Sequence, residues 1–203
     1  MDHTDIIQYF CNTRHYNSYL EIGSAGGNTI KSINCSYKIA VDPNPAAYAT
    51  HHMTSDEYFD HHCKEKFDII FIDGYHVVEQ VDRDIRNALT HLNDGGVIIL
   101  HDCIPIDKYA QSQAALDLIN RGVGISYNGT VWKSVLKYMS TCLFECYIID
   151  TDHGCGIIDT LRPRSTAITV VPTILDYDEH IHLLNYHIIS VADFETLEPT
   201  KWS

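Results

Sequence analysis

Acidic residues stand at or just after the carboxyl ends of four apolar segments that the sequence predicts to be strands. They are Glu21, Asp42, Asp73 and Asp102. Two histidines accompany them, because His76 follows Asp73 by three residues and His101 directly precedes Asp102. Carboxylates and imidazoles can take up a proton or bind a metal ion. The set therefore predicts a binding site that is capable of acid–base or metal chemistry.

A glycine-rich turn follows the first of these strands, over Tyr19–Gly27, and its spacing is Glu-x-Gly-x-x-x-Gly. A dinucleotide-binding Gly-x-Gly-x-x-Gly motif would need glycines where the chain has Ala25 and Asn28. The turn also lacks the Lys-Ser/Thr ending of a P-loop. Asp42 lies 21 residues after Glu21, a position from which a carboxylate can bind both hydroxyls of a ribose. We therefore expect an adenosine-type ligand without a pyrophosphate, approached closely by the glycine turn.

Alternating apolar strands and amphipathic helices hold these residues. Strands are predicted at about 19–22, 37–43, 67–74, 97–102, 144–150 and 157–158. Helices are predicted from Thr4 to Arg14, after an N-cap at Ser55, from Val77 to a stop at Asn93–Gly96, at 113–118, from Lys133, at 177–186, and at 192–197 with Ser190 as its cap. Residues 162–173 are predicted to be extended. Strict alternation predicts a mostly parallel sheet whose strand ends form one ligand crevice, and the last two strands are expected to form an antiparallel hairpin.

Composition narrows the class of protein further. A chain of 203 residues favours one domain, and its net charge of −13 argues against a nucleic-acid or membrane-surface partner. No apolar run is long enough for a membrane span, and the polar first residues do not suggest a signal peptide, so we expect a cytoplasmic protein. The seven cysteines form no Cys-x-x-Cys pair, which predicts reduced thiols rather than a zinc site.

Beyond these patterns, the chain resembles class I S-adenosylmethionine-dependent methyltransferases, and most closely those of sugar and polysaccharide biosynthesis. The resemblance is carried in order by YLEIGSAGG, KIAVDPNP, MTSDEYF, KFDIIFIDGYHVVEQVDRDIRNAL, LNDGGVIILHDCIP, NGTVWK and DTDHGCGII, and by the tail LLNYHIISVADF. It implies an α/β, three-layer Rossmann-like methyltransferase fold. The sheet would be seven-stranded and mostly parallel, with one antiparallel strand near the C-terminal edge. The implied organisation is a single domain over 1–203, with a C-terminal extension from about 160.

The resemblance also implies a role for each residue of the crevice. S-adenosylmethionine would be the cofactor, with Asp42 on its ribose and Asp73 near its sulfonium and the substrate. The methionine part would be held by Glu21, Gly23, Ser24 and Gly27, and the adenine would lie by Ser55 and Asp56. Related O-methyltransferases place a divalent metal between an acid after one strand and an acidic pair after the next.

Asp73, His101 and Asp102 are the matching metal candidates here. A histidine ligand favours manganese, iron or zinc over magnesium. Methyl transfer to a hydroxyl requires alignment and loss of a proton, so Asp73, His76, His101 and Asp102 are the candidate catalytic residues. A metal-free site with His76 or His101 as the base stays open. Purely structural roles also stay open: helix caps for Asp73 and Asp102, a solvated residue for His76, and a buried, hydrogen-bonded residue for His101.

The predicted function is an S-adenosylmethionine-dependent O-methyltransferase that acts on a sugar hydroxyl of a nucleotide sugar or glycan. The alternatives are a cofactor-binding partner protein without activity and a methyltransferase of a small non-sugar metabolite. A nicotinamide-dependent oxidoreductase is a further alternative, against which the missing glycines argue. The sequence leaves open the methyl acceptor and whether the chain forms a homo-oligomer.

Overall fold

Seven strands form one sheet in the computed structural model, which describes residues 1–164 and 172–197. They are β1 (Ser18–Ile22), β2 (Tyr37–Val41), β3 (Phe67–Ile72), β4 (Leu92–Leu100), β5 (Phe144–Ile149), β6 (Cys155–Pro163) and β7 (Ile188–Ile189). Their spatial order is β2-β1-β3-β4-β6-β5-β7. Strand β6 pairs antiparallel with β4 and β5, whereas the other pairs are parallel. The predicted fold class is therefore confirmed, including one antiparallel strand near the C-terminal edge.

Helices cover both faces of this sheet. The α-helices are α1 (His3–Arg14), α2 (Asn28–Ser32), α3 (Ser55–Glu57), α4 (Val78–Thr90), α5 (Gln113–Asn120), α6 (Val131–Thr141), α7 (Tyr177–His180) and α8 (Val191–Leu197). A π-helical turn (Tyr58–His62) extends α3, and 3-10 turns span Tyr109–Gln111 and Ile181–Tyr186. Successive strand residues point to opposite faces, so Leu20 packs with α4 and α6 while Tyr19 packs with α1 and α8. Two apolar clusters result, one on each face.

The boundary between α4 and β4 differs from the prediction. The Asn93–Gly96 segment was expected to end the helix, but α4 ends at Thr90 and these residues begin the strand. Asn93 Nδ2 donates a hydrogen bond to Asp68 Oδ1 at 2.7 Å. The register between β3 and β4 shifts at this point, and Gly95 has a φ of +77°. Tertiary pairing with β3 therefore overrides a local sequence that is typical of a helix end.

Two helix caps also lie one or two residues before the predicted positions. Asp2, not Thr4, caps α1, because Asp2 and Asp5 accept reciprocal hydrogen bonds from each other's backbone N–H groups at 3.0 Å. Thr54, not Ser55, caps α3. The predicted cap Ser190 is confirmed, since Ser190 Oγ accepts a hydrogen bond from Asp193 N at 3.1 Å.

The C-terminal region adds the edge strand β7, which the sequence did not predict. Strand β7 pairs in parallel with β5. The predicted helix at 177–186 is present as α7 followed by a 3-10 turn. Part of the segment predicted to be extended, 165–171, lies outside the described residues. In the described ranges, no helix is both long and apolar enough to span a membrane.

Candidate active site

A cavity of about 480 Å³ opens at the carboxyl ends of β1, β2 and β3. Its lining residues are Ile22, Gly23, Ala25, Val41, Asp42, Pro43, Thr54, Ser55, Asp73, Gly74, Tyr75 and Gln80. Four of the predicted cofactor-binding residues are therefore at the cavity, namely Gly23, Asp42, Ser55 and Asp73. The cavity lies where parallel sheets usually bind ligands, outside the carboxyl ends of the strands.

Asp42 is held in place by the turn that follows β1. Its Oδ2 accepts a hydrogen bond from Ala25 N at 2.8 Å, and its Oδ1 accepts one from Asn44 N at 2.8 Å. Each carboxylate oxygen can accept more than one hydrogen bond, so both keep capacity for a ligand. The side chain is thus oriented towards the cavity wall with its acceptors available for a pair of hydroxyl groups.

The other predicted cofactor-binding residues do not line the cavity. Glu21 is 2% exposed, accepts a hydrogen bond from Tyr19 at 2.6 Å, and has a pKa that burial raises to about 7. Asp56 instead pairs with Arg83 at 3.2 Å on the surface. Ser24 Oγ is buried and has no hydrogen-bond partner among the described residues, which leaves it free to bind a ligand atom in this turn.

The turn glycines are required by contacts within the protein. A Cβ on Gly23, whose φ is +87°, would lie 2.3 Å from the backbone oxygen of Asp73. A Cβ on Gly27 would lie 2.5 Å from the Tyr48 ring. The close approach of this turn to a ligand stays a prediction, and the structure adds that protein contacts alone require glycine at both positions. Their absent side chains let β1 and β3 end side by side and let the Tyr48 loop cover the turn.

Beside the cavity, the ends of β3 and β4 bring Asp73, His76 and Asp102 together, a group named here the His76 cluster. His76 Nε2 lies 3.2 Å from Asp73 Oδ1, and its Nδ1 lies 3.2 Å from Asp102 Oδ2. His101 adjoins the group, with Nδ1 3.2 Å from Asp73 Oδ1 and 3.5 Å from Asp102 Oδ2. The structure thus gathers all four predicted catalytic residues at one place.

Charge pairing shifts the titration of this group. Burial raises the pKa of Asp73, but hydrogen bonds from His101 and His76 outweigh burial and hold that pKa at about 2. Burial lowers the pKa of His76, but its hydrogen bond to Asp73 and the charges of Asp73 and Asp102 outweigh burial and raise it. Burial likewise lowers the pKa of His101, which Asp102 and Asp73 raise to about 11. Mutual pairing therefore holds the pKa of Asp73 low and the pKa values of both histidines high, so this group carries both negative and positive charge beside the cavity.

Asp102 owes its position to an unusual backbone conformation and to one buried amide. Its φ is +57°, in the left-handed region that non-glycine residues seldom occupy. Asn128 is buried, and its Nδ2 donates a hydrogen bond to Asp102 Oδ1 at 2.5 Å. The sequence analysis did not predict this contact, because a separation of 26 residues leaves no local signal.

The loop that carries His76 is fixed by the residues after Asn128. Thr130 N donates a hydrogen bond to the backbone oxygen of His76 at 2.8 Å, and Thr130 Oγ1 accepts one from Val78 N at 2.8 Å. Gly129 has a φ of +63°, and a Cβ there would lie 2.0 Å from the same His76 oxygen. Tyr127 stacks on the His76 ring with centroids 6.2 Å apart. These positioning residues were not predicted.

The His76 cluster could also hold a metal ion. Asp73, His76 and Asp102 each offer a ligand atom, and these atoms lie within 4.8 Å of one another. Two carboxylates and an imidazole suit manganese, iron or zinc better than magnesium, which prefers oxygen ligands. The geometry includes His76, which the predicted metal set lacked. The predicted ligand His101 also lies within 3.5 Å of both carboxylates.

Comparisons with known proteins relate part of the chain to one class of domain. Residues 20–103 match a family model described as a methyltransferase domain. A comparison with curated proteins found no significant match. The matched segment contains the last three residues of β1, all of β2 to β4 and the whole His76 cluster, so the site and the family model coincide in the chain.

Several solved structures share the fold of this chain. The chain is similar to cofactor-bound Rv0187 from MTB, with 15% identity, a TM-score of 0.58, and coverage of 78% of this chain and 79% of that one. It is also similar to TomG, an O-methyltransferase from Streptomyces achromogenes in complex with SAM, with 12% identity, a TM-score of 0.56, and coverage of 77% of this chain and 79% of that one. A third similar structure is the O-methyltransferase from Bacillus cereus in complex with SAH, with 13% identity, a TM-score of 0.54, and coverage of 77% of this chain and 80% of that one. The TM-scores establish the shared fold, and the match of residues 20–103 supports a methyltransferase domain, in agreement with the sequence prediction.

Proposed function

We propose that this protein transfers the methyl group of S-adenosylmethionine to a hydroxyl group of its substrate. The observation that carries the proposal is the position of His76, held by Asp73 and Asp102 at the edge of a cavity that Asp73 itself lines. The bound cofactor would supply an electrophilic methyl group on a positively charged sulfur. The protein must then align a hydroxyl with that carbon and accept its proton.

The cavity offers suitable partners for each part of the cofactor. Asp42 would bind the ribose hydroxyls through the free acceptor capacity of its two oxygens. Ser55 and Gln80 would lie by the adenine, while Asp73 would face the sulfonium. Glu21, Ser24 and Gly27 lie outside the cavity lining. They would set the shape and the charge of the turn that binds the methionine part of the cofactor. Asp56, which pairs with Arg83 on the surface, would not contact the adenine itself. It would only help to position Gln80, whose Nε2 donates a hydrogen bond to Asp56 at 3.1 Å.

His76 is the proposed general base. The acceptor hydroxyl would replace the contact at Nε2, beside the cavity, whereas the contact between Nδ1 and Asp102 would keep the ring oriented. The neighbouring carboxylates raise the pKa of His76 above its ordinary value of about 6.5. The neutral ring, which is the form that can accept a proton, therefore predominates only at a pH above that value. The rate of transfer should therefore increase with pH through a value above about 6.5.

The same residues fit a metal-assisted variant of this reaction. Asp73, His76 and Asp102 would hold a divalent ion, and that ion would lower the pKa of the acceptor hydroxyl. His101 would then assist Asp73 and Asp102 by hydrogen bonding. Loss of activity on chelation, with recovery on addition of manganese or zinc, would distinguish this variant from metal-free base catalysis.

The proposed acceptor is a sugar hydroxyl of a nucleotide sugar or a glycan, which rests on the sequence resemblance. A hydroxyl acceptor agrees with the names of the similar structures from Streptomyces achromogenes and Bacillus cereus. A small non-sugar metabolite is the second candidate. A radiolabelled methyl-transfer assay with nucleotide sugars, free glycans and catechol-type hydroxyls would test the choice. Transfer to the catechol-type compounds alone would reject the sugar proposal.

Calorimetric titration with S-adenosylmethionine tests the cofactor directly. Wild-type protein should bind it, and Asp42→Ala should weaken binding at least tenfold because the ribose loses its charged hydrogen-bond partner. Asp60→Ala is the matched control, since Asp60 is an exposed acid outside the cavity lining. An absence of binding to the wild-type protein, or equal weakening in both variants, would reject the proposed cofactor site.

A further inference from the structure

A second group of metal-binding side chains lies where the start of α1 meets the turn between β5 and β6. It consists of His3, His101 and Asp152, named here the His3 cluster. One ligand atom from each residue lies within 4.8 Å of the other two. Asp152 Oδ2 is 2.5 Å from His3 Nδ1 and 3.2 Å from His101 Nε2. The side chains are 21%, 12% and 25% exposed in the same order, so the group is largely shielded from solvent.

His101 presents different nitrogens to the two clusters. Its Nδ1 makes a hydrogen-bond contact with Asp73 Oδ1 at 3.2 Å, on the side of the His76 cluster. Its Nε2 is buried and forms no hydrogen bond with any described residue, although Asp152 Oδ2 is only 3.2 Å away. With its proton on Nδ1, which faces Asp73, the neutral His101 ring carries its lone pair on Nε2, where it can bind a cation together with Asp152 Oδ2.

The nitrogens that point away from the His3 cluster are also occupied. His101 Nδ1 faces the carboxylate of Asp73, and His3 Nε2 lies 2.8 Å from Thr29 Oγ1. Histidines that bind metals usually have their second ring nitrogen held by a carboxylate, a carbonyl or another polar group, which fixes the ring for coordination. Phe71 adds to this fixation, because the His3 ring stacks on it with centroids 5.3 Å apart.

We propose that His3, His101 and Asp152 bind a divalent transition metal of the zinc or iron type. Two imidazole nitrogens and one carboxylate oxygen form a ligand set that these ions favour, whereas magnesium and calcium prefer oxygen ligands. An ion with bonds of about 2.0–2.2 Å keeps its ligand atoms roughly 3–4 Å apart. The 3.2 Å between Asp152 Oδ2 and His101 Nε2 fits this spacing, and the 2.5 Å contact with His3 Nδ1 would lengthen when an ion binds. The ion ties the first turn of α1 to the strand ends.

Zinc titration of the full chain against a chromophoric chelator tests this site without S-adenosylmethionine, so its outcome is independent of the proposed function. Wild-type protein should bind one zinc equivalent more than His3→Gln, and Asp152→Asn should weaken that equivalent at least tenfold. His61→Gln is the matched control, because His61 is exposed and belongs to neither cluster. It should bind as many equivalents as the wild type.

Thermal unfolding provides a second readout, because a metal that binds the folded state raises the melting temperature. Zinc should raise the melting temperature of wild type and His61→Gln by more than that of His3→Gln. Equal zinc stoichiometry in wild type and His3→Gln would overturn the proposal. It would also be overturned if only His76→Gln lost an equivalent, since the metal would then lie in the His76 cluster alone.

Discussion

The His76 cluster and the His3 cluster meet at the ring of His101, yet the chain assembles them in different ways. The His76 cluster joins the ends of two adjacent parallel strands, and His101 is only 28 residues from Asp73. The His3 cluster joins His3 to Asp152, which is 149 residues away. A site at neighbouring strand ends follows from sheet topology, whereas a site between a terminal helix and a distant turn depends on how that helix packs.

The clusters also differ in charge. The His76 cluster sets two carboxylates against one imidazole, while the His3 cluster sets one carboxylate against two imidazoles. An acid-rich group beside a cavity stabilises positive charge, such as a sulfonium or a protonated histidine. A nitrogen-rich group favours transition metals over magnesium. Adjacent sites that share His101 thus have distinct chemical preferences.

Replacement of the central histidine in each cluster should separate their roles most strongly. His76→Gln should lower kcat by about 10²–10⁴-fold, because the acceptor hydroxyl loses its base, while affinity for S-adenosylmethionine stays within about twofold. His3→Gln should leave kcat within about threefold, since a residue outside the reacting groups contributes little to the chemical step. Steady-state kinetics and calorimetry measure both quantities. A comparable loss of kcat in both variants would mean that the clusters act as one site.

The burial of Glu21 behind the cavity should also appear in the stability of the protein. The pKa of Glu21 is about 7 in the folded state and about 4.3 when unfolded, so the folded state holds its proton to higher pH. The free energy of unfolding should therefore fall as pH rises from about 4.5 to about 7.5, by at most about 3 kcal/mol. Glu21→Gln should remove this part of the pH dependence and be more stable than wild type at pH values above about 7.5.

Urea denaturation at the two ends of that pH range measures the difference. Glu79→Gln is the matched control, because Glu79 is exposed at the start of α4. It should retain the pH dependence of wild type. If Glu21→Gln also retains the wild-type pH dependence, ionisation of Glu21 does not lower the free energy of unfolding, and the prediction is wrong.

The smallest expected effect comes from the cap of α1, which carries His3. Asp2→Ala should lower the free energy of unfolding by about 1 kcal/mol, because two N-terminal hydrogen bonds are lost. It should also weaken zinc binding at the His3 cluster and leave S-adenosylmethionine binding unchanged, since only the first turn of α1 frays. Asn12→Ala, exposed in the same helix, should not lower stability. An unchanged zinc affinity in Asp2→Ala would show that the His3 cluster does not depend on the capped first turn of α1.

Much of the candidate site could be predicted because its residues obey local and topological rules. Buried parallel strands are recognisable as short apolar runs, and their carboxyl ends must share one edge of the sheet. Asp42 and Asp73 were therefore expected at the cavity, and His76 and Asp102 were expected nearby. The cap positions and the start of β4 were wrong by a few residues, because neighbouring polar residues compete for the same role and strand pairing decided between them.

The sequence by itself determined the alternation of strands and helices and the gathering of the strand-end acids, while its family resemblance indicated a methyltransferase. These features depend on periodicity and on residue types close together in the chain. Only the tertiary structure decided that Asn128 holds Asp102, that Thr130 fixes the His76 loop, and that His3 lies beside His101. Such contacts join segments that are far apart in sequence, and the packing of α1 and of the loop before α6 determines which of many polar side chains meet.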